Sequence, residues 1–165
     1  PHLEKIERPV FFVDAHCHPQ TIAVVETRAR AVGIEVAVGD ASGCDLASGR
    51  IFGVLAQYPT TDGRILDYAP LAAAGHAGKA RLVVAAGVLS LTMLRAPGEF
   101  GADIAVGSTQ RFGLPMGYGG PHAAFMAARK SPTRSSRCLS PSPRRTRAPS
   151  PSRPRKVLAA SASAA

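Results

Sequence analysis

The sequence predicts an α/β protein built on a mostly parallel sheet. Three observations carry this reading: short apolar runs without polar alternation, helical stretches set between them, and turn signals that close each one. With 165 residues, 45% of them hydrophobic, there is chain enough for one domain's core.

The first run, Val10 to Asp14 (VFFVD), reads as a strand buried on both faces. Pro19 follows where the first turn of a helix tolerates a missing N–H, and His18 before it stands where a side-chain acceptor would cap. From Gln20 onward Ile22, Val25, Ala29 and Val32 recur at helical spacing, and Gly33 supplies the residue that ends such a helix. Residues 34–38 alternate into a second strand, and 40–49 form a turn-rich loop. Residues 52–56 make a third strand, closed by Tyr58-Pro59 and the Asp62-Gly63 turn. A second helix is predicted over 67–77 and a fourth strand over 82–86. Pro97-Gly98 is a break, and 104–106 is a fifth strand. Cutting through a larger sheet, such a segment leaves an unpaired strand edge and marginal stability.

The net charge of +9 is unevenly placed. Residues 1–128 hold ten Lys or Arg against eleven Asp or Glu, whereas 129–165 hold ten Lys or Arg and no acid. In that second stretch 29 of 37 positions are Ser, Pro, Arg or Ala, too little apolar surface to offset the entropy of ordering. The expectation is a folded body over 1–128 and a disordered basic tail over 129–165. Such a tail is suited to nonspecific nucleic-acid binding, which makes a polyanion-binding protein the alternative function.

The longest apolar run, residues 82–93, is well short of the ~20 needed to span a bilayer. The first ten residues mix Glu4, Lys5, Glu7 and Arg8 with no apolar signal region. A cytoplasmic location without membrane contact is expected. Cys17, Cys44 and Cys138 match no zinc or redox spacing and read as reduced thiols.

Two constellations could carry chemistry. At the end of the first strand, Asp14-Ala15-His16-Cys17-His18 sets two imidazoles at i and i+2, a pattern with which metal-dependent hydrolases begin a ligand set. A metal needs three or four converging ligands and the remaining histidines are His2, His76 and His122, so no metal site is expected. The second constellation is residues 107–122, GSTQRFGLPMGYGGPH, a strand-to-strand loop whose glycines let the backbone approach a ligand or another chain. It is not a P-loop, and His122 stands where a dinucleotide fingerprint would need its third Gly.

Three stretches, FFVDAHCHPQTIAVVETRA (11–29), GVLAQYPTTDGRILDYAPL (53–71) and APGEFGADIAVGSTQRFGLPMGYGGPHAAF (96–125), resemble in order and spacing the P-protein family of glycine decarboxylases, in its N-terminal half. The resemblance implies part of the large domain of the fold type I pyridoxal-phosphate (aspartate aminotransferase-like) fold. It implies glycine decarboxylation, with transfer of the aminomethyl group to the lipoyl arm of H-protein, and as partners that H-protein and the family's C-terminal half. In that C-terminal half the lysine that binds pyridoxal phosphate lies in an Asn-Leu-His-Lys-Thr-Phe loop. Residues 107–112 laid over it put Gln110 at the lysine position, and a carboxamide forms no imine. The resemblance therefore implies a cofactor not covalently bound by this segment. Gly117, Tyr118, Gly119, Gly120 and His122 become candidate cofactor-facing residues. Two departures stand out: Gly87 replaces an acidic residue usual in the family, and the family pattern stops after Ala128, as a shifted reading frame would produce.

Overall fold

The computed structural model describes residues 9–46, 48–113 and 123–129. Residues 1–130 make one compact unit; a second unit, 131–165, lies wholly outside the described residues, so of the tail expected over 129–165 only Arg129 is described, its N–H bonded to the Asp103 carbonyl.

Six strands form one sheet. They are β1 (Val10–Asp14), β2 (Glu35–Gly39), β3 (Ile51–Tyr58), β4 (Arg81–Ala86), β5 (Ile104–Ser108) and β6 (Ala124–Ala128), with helices α1 (Pro19–Ala31) after β1 and α2 (Ala69–Ala77) after β3. The order across the sheet is β2-β1-β3-β4-β5-β6. All neighbours from β2 to β5 are parallel, and β6 runs antiparallel to β5. The five predicted strands and both helices are present. β6 is an addition, and its sequence AFMAA explains why: without a β-branched residue it carries little strand signal, and its pairing with β5 holds it. Of the loop predicted over 107–122, Gly107 and Ser108 belong to β5 and residues 114–122 lie outside the described residues.

The order turns back on itself between β1 and β3. From β1 the chain moves through α1 outward to β2, and from β3 it moves through α2 the other way to β4. Right-handed crossovers in opposite directions put the two helices on opposite faces. The packing agrees. Val13, Leu55 and Cys17 are buried with Ile22 and Val25 of α1 against them, whereas Val54, Ala56, Leu82 and Val84 are buried with Tyr68 and Ala72 on the other face. Successive strand residues alternate faces, so a strand covered on both must be apolar throughout. Burying each of Val13, Val54, Leu82 and Val84 stabilises the fold by roughly 1.5–3 kcal/mol.

Two local features hold the β5 side. Asp103, just before β5, is buried and accepts from Leu82 N–H at 3.0 Å, Arg81 Nη1 at 2.8 Å and His76 Nε2 at 3.0 Å, tying α2 to the start of β4 and β5. Gly107 in β5 lies against the Ala86 carbonyl of β4, with the Phe125 ring of β6 over the space a side chain would need. At α1, Gly33 has φ +72° and ends the helix as predicted. His18 does occupy the N-cap position, but its ring makes no capping bond; it reaches across to β3's loop instead.

Candidate functional site

In an open α/β sheet, ligands sit outside the carboxyl ends of the strands where the order reverses. Here that point lies between β1 and β3, and the loops leaving them carry a polar network built on Asp14. Asp14, the last residue of β1, is 1% exposed. Its Oδ1 accepts from His16 Nδ1 at 2.8 Å and from the His16 backbone N–H at 3.2 Å. Its Oδ2 accepts from the Tyr68 hydroxyl at 3.2 Å, which also lies 3.0 Å from the Gln57 carbonyl.

The two loops are stitched together. Thr61 after β3 donates to the His16 carbonyl through both its backbone N–H and its hydroxyl, each at 3.0 Å. With the hydroxyl proton used there, the contact of 2.9 Å between His18 Nδ1 and Thr61 Oγ1 has the ring N–H donating. Asp14 and Thr61 thus each engage the Nδ1 of one histidine, leaving both Nε2 atoms outside these bonds.

Burial, followed by the charge of Asp14, pushes the Cys17 thiol up to about 12, so it stays protonated at neutral pH. Burial, then the same carboxylate, raises Tyr68 well above the usual phenol range and keeps it a hydrogen-bond donor. Asp40 is held low by the hydroxyl and backbone N–H of Ser42. Among the described residues Cys17 and Cys44 are free thiols; Cys138, the third cysteine of the sequence reading, lies outside them.

The expected absence of a metal site has one point of contact with the geometry. Among the described residues, Asp14, His16 and Asp40 bring ligand atoms within 4.8 Å of one another, but Asp14 and His16 are already bonded to each other. His18, the second histidine of the sequence motif, is not in that group.

Gln110 opens a single 3-10 turn, Gln110–Phe112, directly after β5. Its backbone N–H donates to Ser108 Oγ at 3.2 Å, and that hydroxyl lies 3.3 Å from Gln110 Oε1. This is the same sheet edge as Asp14 and His16, but three strand spacings, about 14 Å, further along. The structure thus places the two predicted constellations on one rim without joining them. Gly117, Tyr118, Gly119, Gly120 and His122 lie outside the described residues. Gly87, at the end of β4 between them, donates its N–H to the Tyr58 carbonyl at 2.9 Å. A Cβ there would meet Ser90 Oγ at 3.4 Å and Pro59 at 3.7 Å, so the rim has room for a side chain that this sequence lacks.

An aldehyde cofactor bound covalently needs a primary amine on this rim. Among the described residues the one lysine is Lys79, in the turn leading into β4 at the opposite edge, about 20 Å of strand away. The described residues of this rim do not fit covalent attachment of pyridoxal phosphate. The sequence missed Tyr68 and Thr61 as parts of the network; Asp14 carried a usable signal, an acid closing an otherwise apolar strand.

Residues 2–138 match the family described as the glycine cleavage system P-protein. A glycine dehydrogenase (decarboxylating) of Allorhizobium ampelinum is 53% identical over 131 residues, covering 79% of this chain and 14% of that protein. The chain therefore spans about one seventh of that relative's length. Among solved structures, a glycine decarboxylase (P-protein) of the glycine cleavage system in inhibitor-bound form superposes with a TM-score of 0.66 at 37% identity, over 76% of this chain and 30% of that one. A cystathionine gamma synthase from Xanthomonas oryzae shares the fold, with a TM-score of 0.61 at 22% identity over 74% of this chain and 32% of its own. The architecture is that of a fold type I pyridoxal-phosphate domain. A match that runs over most of the chain's length makes the chain a member of the glycine cleavage system P-protein family.

Proposed function

We propose that this chain is a segment of the N-terminal half of a glycine-decarboxylating P-protein and serves as the supporting side of its active site. In this reading residues 1–128 are the folded body and 129–165 a basic tail, although the family match continues to residue 138. The body works in the cytoplasm against a C-terminal half that holds pyridoxal phosphate on its own lysine. The whole assembly decarboxylates glycine and passes the aminomethyl group to the lipoyl arm of H-protein. Alone, the chain has no such activity.

The observation that carries the supporting role is the rim itself. Gln110 stands after β5 where an imine would need an amine, and Lys79 is at the far edge. The rim's described groups are suited to hydrogen bonding: the Nε2 atoms of His16 and His18, and the carboxamide of Gln110. Residues 113–122, among them Tyr118 and His122, belong to the same role in this reading.

The test uses the full chain with added pyridoxal phosphate, borohydride reduction and peptide mapping, alongside release of labelled carbon dioxide from glycine. No stoichiometric pyridoxyl-lysine and no release above background are expected. One lysine labelled to full occupancy would overturn the supporting role.

A further inference from the structure

We propose that Asp14, His16 and Asp40 form a binding site for one divalent transition-metal ion of the Zn2+ class, at the carboxyl ends of β1 and β2. This site stands apart from the functional reading above and rests on three side chains.

The Asp14-Ala15-His16 stretch supplies two ligands and the remaining histidines no third, which is why the sequence leads one to expect no metal. The fold brings the third from the neighbouring strand, and it is a carboxylate. β1 and β2 pair in parallel with Asp14 opposite Gly39, and the Ala15 N–H donates to the Gly39 carbonyl at 2.8 Å. Asp40 therefore leaves β2 beside the loop that carries His16. Ligand atoms of the three side chains lie within 4.8 Å of one another.

The charge at this point favours a cation. Two carboxylates meet there, and Asp14 is buried, where a charge without compensation is costly. Asp14 is bonded to an imidazole, a backbone N–H and a phenol hydroxyl, and among the described residues to no Lys or Arg. Arg64, on the loop after β3, is itself held by Asp62 at 2.6 Å. Even a protonated His16 leaves the three side chains with a net negative charge. A divalent ion bound to the neutral imidazole cancels it.

Each carboxylate is also oriented by a group outside the trio. Tyr68 holds Asp14 Oδ2, and the N–H and hydroxyl of Ser42 hold Asp40 Oδ1 at 2.8 and 2.7 Å, which turns Asp14 Oδ1 and Asp40 Oδ2 to the ion. Asp14 Oδ1 lies 2.8 Å from His16 Nδ1. Metal bonds of about 2.0–2.1 Å in a tetrahedral shell set ligand atoms about 3.4 Å apart, so this pair needs to open by only about half an ångström. The Nδ1 proton then passes to solvent and the ion takes its place. Two oxygens and an imidazole nitrogen suit Zn2+ better than Ca2+, whose shell is built of oxygens, and a three-residue set leaves the fourth position to water.

The experiment titrates the full chain with Co2+, a coloured substitute for Zn2+. One ion per chain is expected, with the visible bands of a four-coordinate ion, without the near-ultraviolet absorption of a thiolate complex, and with loss of the bands when Zn2+ is added. Asp40→Asn, at an exposed position, and His16→Gln should each weaken binding at least about tenfold with an unchanged far-UV spectrum, whereas His18→Gln, outside the trio, should change it little. A second readout does not depend on colour: Zn2+ should raise the urea midpoint of the parent and leave that of Asp40→Asn where it was. Binding through thiolates, undiminished affinity in either trio variant, an equal loss in His18→Gln, or no saturation up to about 1 mM Co2+ would overturn the proposal.

Discussion

Replacing Asp103 with Ala is expected to remove about 3 kcal/mol of stability, the cost of leaving buried donors without an acceptor. Arg81, 60% exposed, can turn to water, but the Leu82 N–H is inside the sheet and cannot. The Asn variant separates the parts. Oδ2 serves both Leu82 and His76 while Oδ1 serves Arg81, so an Asn oxygen placed toward Leu82 forfeits only the Arg81 bond. A loss of about 1 kcal/mol is expected there. Burial opposes ionisation of Asp103, but the Leu82 N–H, Arg81 and His76 together outweigh it and hold the carboxyl below its ordinary value. A group lowered on folding contributes its full stability above the unfolded value, ~3.9, and loses it as the pH falls through the folded one. Urea midpoints measured from pH 6 down to pH 2.5 should therefore fall more steeply in the parent than in Asp103→Asn. Parallel curves would show that this carboxylate is not what acid removes.

Gly107→Ala is expected to cost about as much, about 3 kcal/mol, because neither neighbour of the new methyl can yield cheaply. It would land on the Ala86 carbonyl, and two atoms of the Phe125 ring would stand 2.5 and 2.7 Å from it. Urea unfolding should show a lower midpoint, and hydrogen exchange should locate the loss in β5 and β6. Adding Phe125→Leu should recover only part of it, since the carbonyl contact is unchanged. Full recovery would mean that the ring alone carries the cost.

The body of the sheet was legible because its strands advertise themselves. Val10 to Asp14 and Leu82 to Ala86 are apolar on both faces, and α1 has both a Pro at its start and a Gly at its end. β6 was not legible: five residues without a β-branched side chain are a strand only because β5 is beside them. The candidate site divides in the same way. Gln110 could be placed after the fifth strand from the resemblance, and His16 and His18 from their spacing. That His18 bonds Thr61, and that Tyr68 bonds Asp14 54 positions away in sequence, are facts of tertiary contact, for which neither periodicity nor spacing holds a signal.

The reversal of strand order between β1 and β3 also governs the sequence of events as the chain is made. Of the described strands β1 emerges before the others, but its neighbour on the inner side is β3, which ends at Tyr58. Until then β1 has only β2 beside it, joined across α1, and the acid at its tip, Asp14, lacks the Tyr68 hydroxyl that satisfies its second oxygen. β1 thus waits for its second neighbour until β3 is made, and closing that pair requires a loop of some forty residues. Such non-local pairing slows folding and leaves apolar strands open to wrong partners meanwhile. Between the appearance of Asp14 and that of Tyr68, β1 therefore stands with one side unpaired and the carboxylate at its tip without its phenol partner.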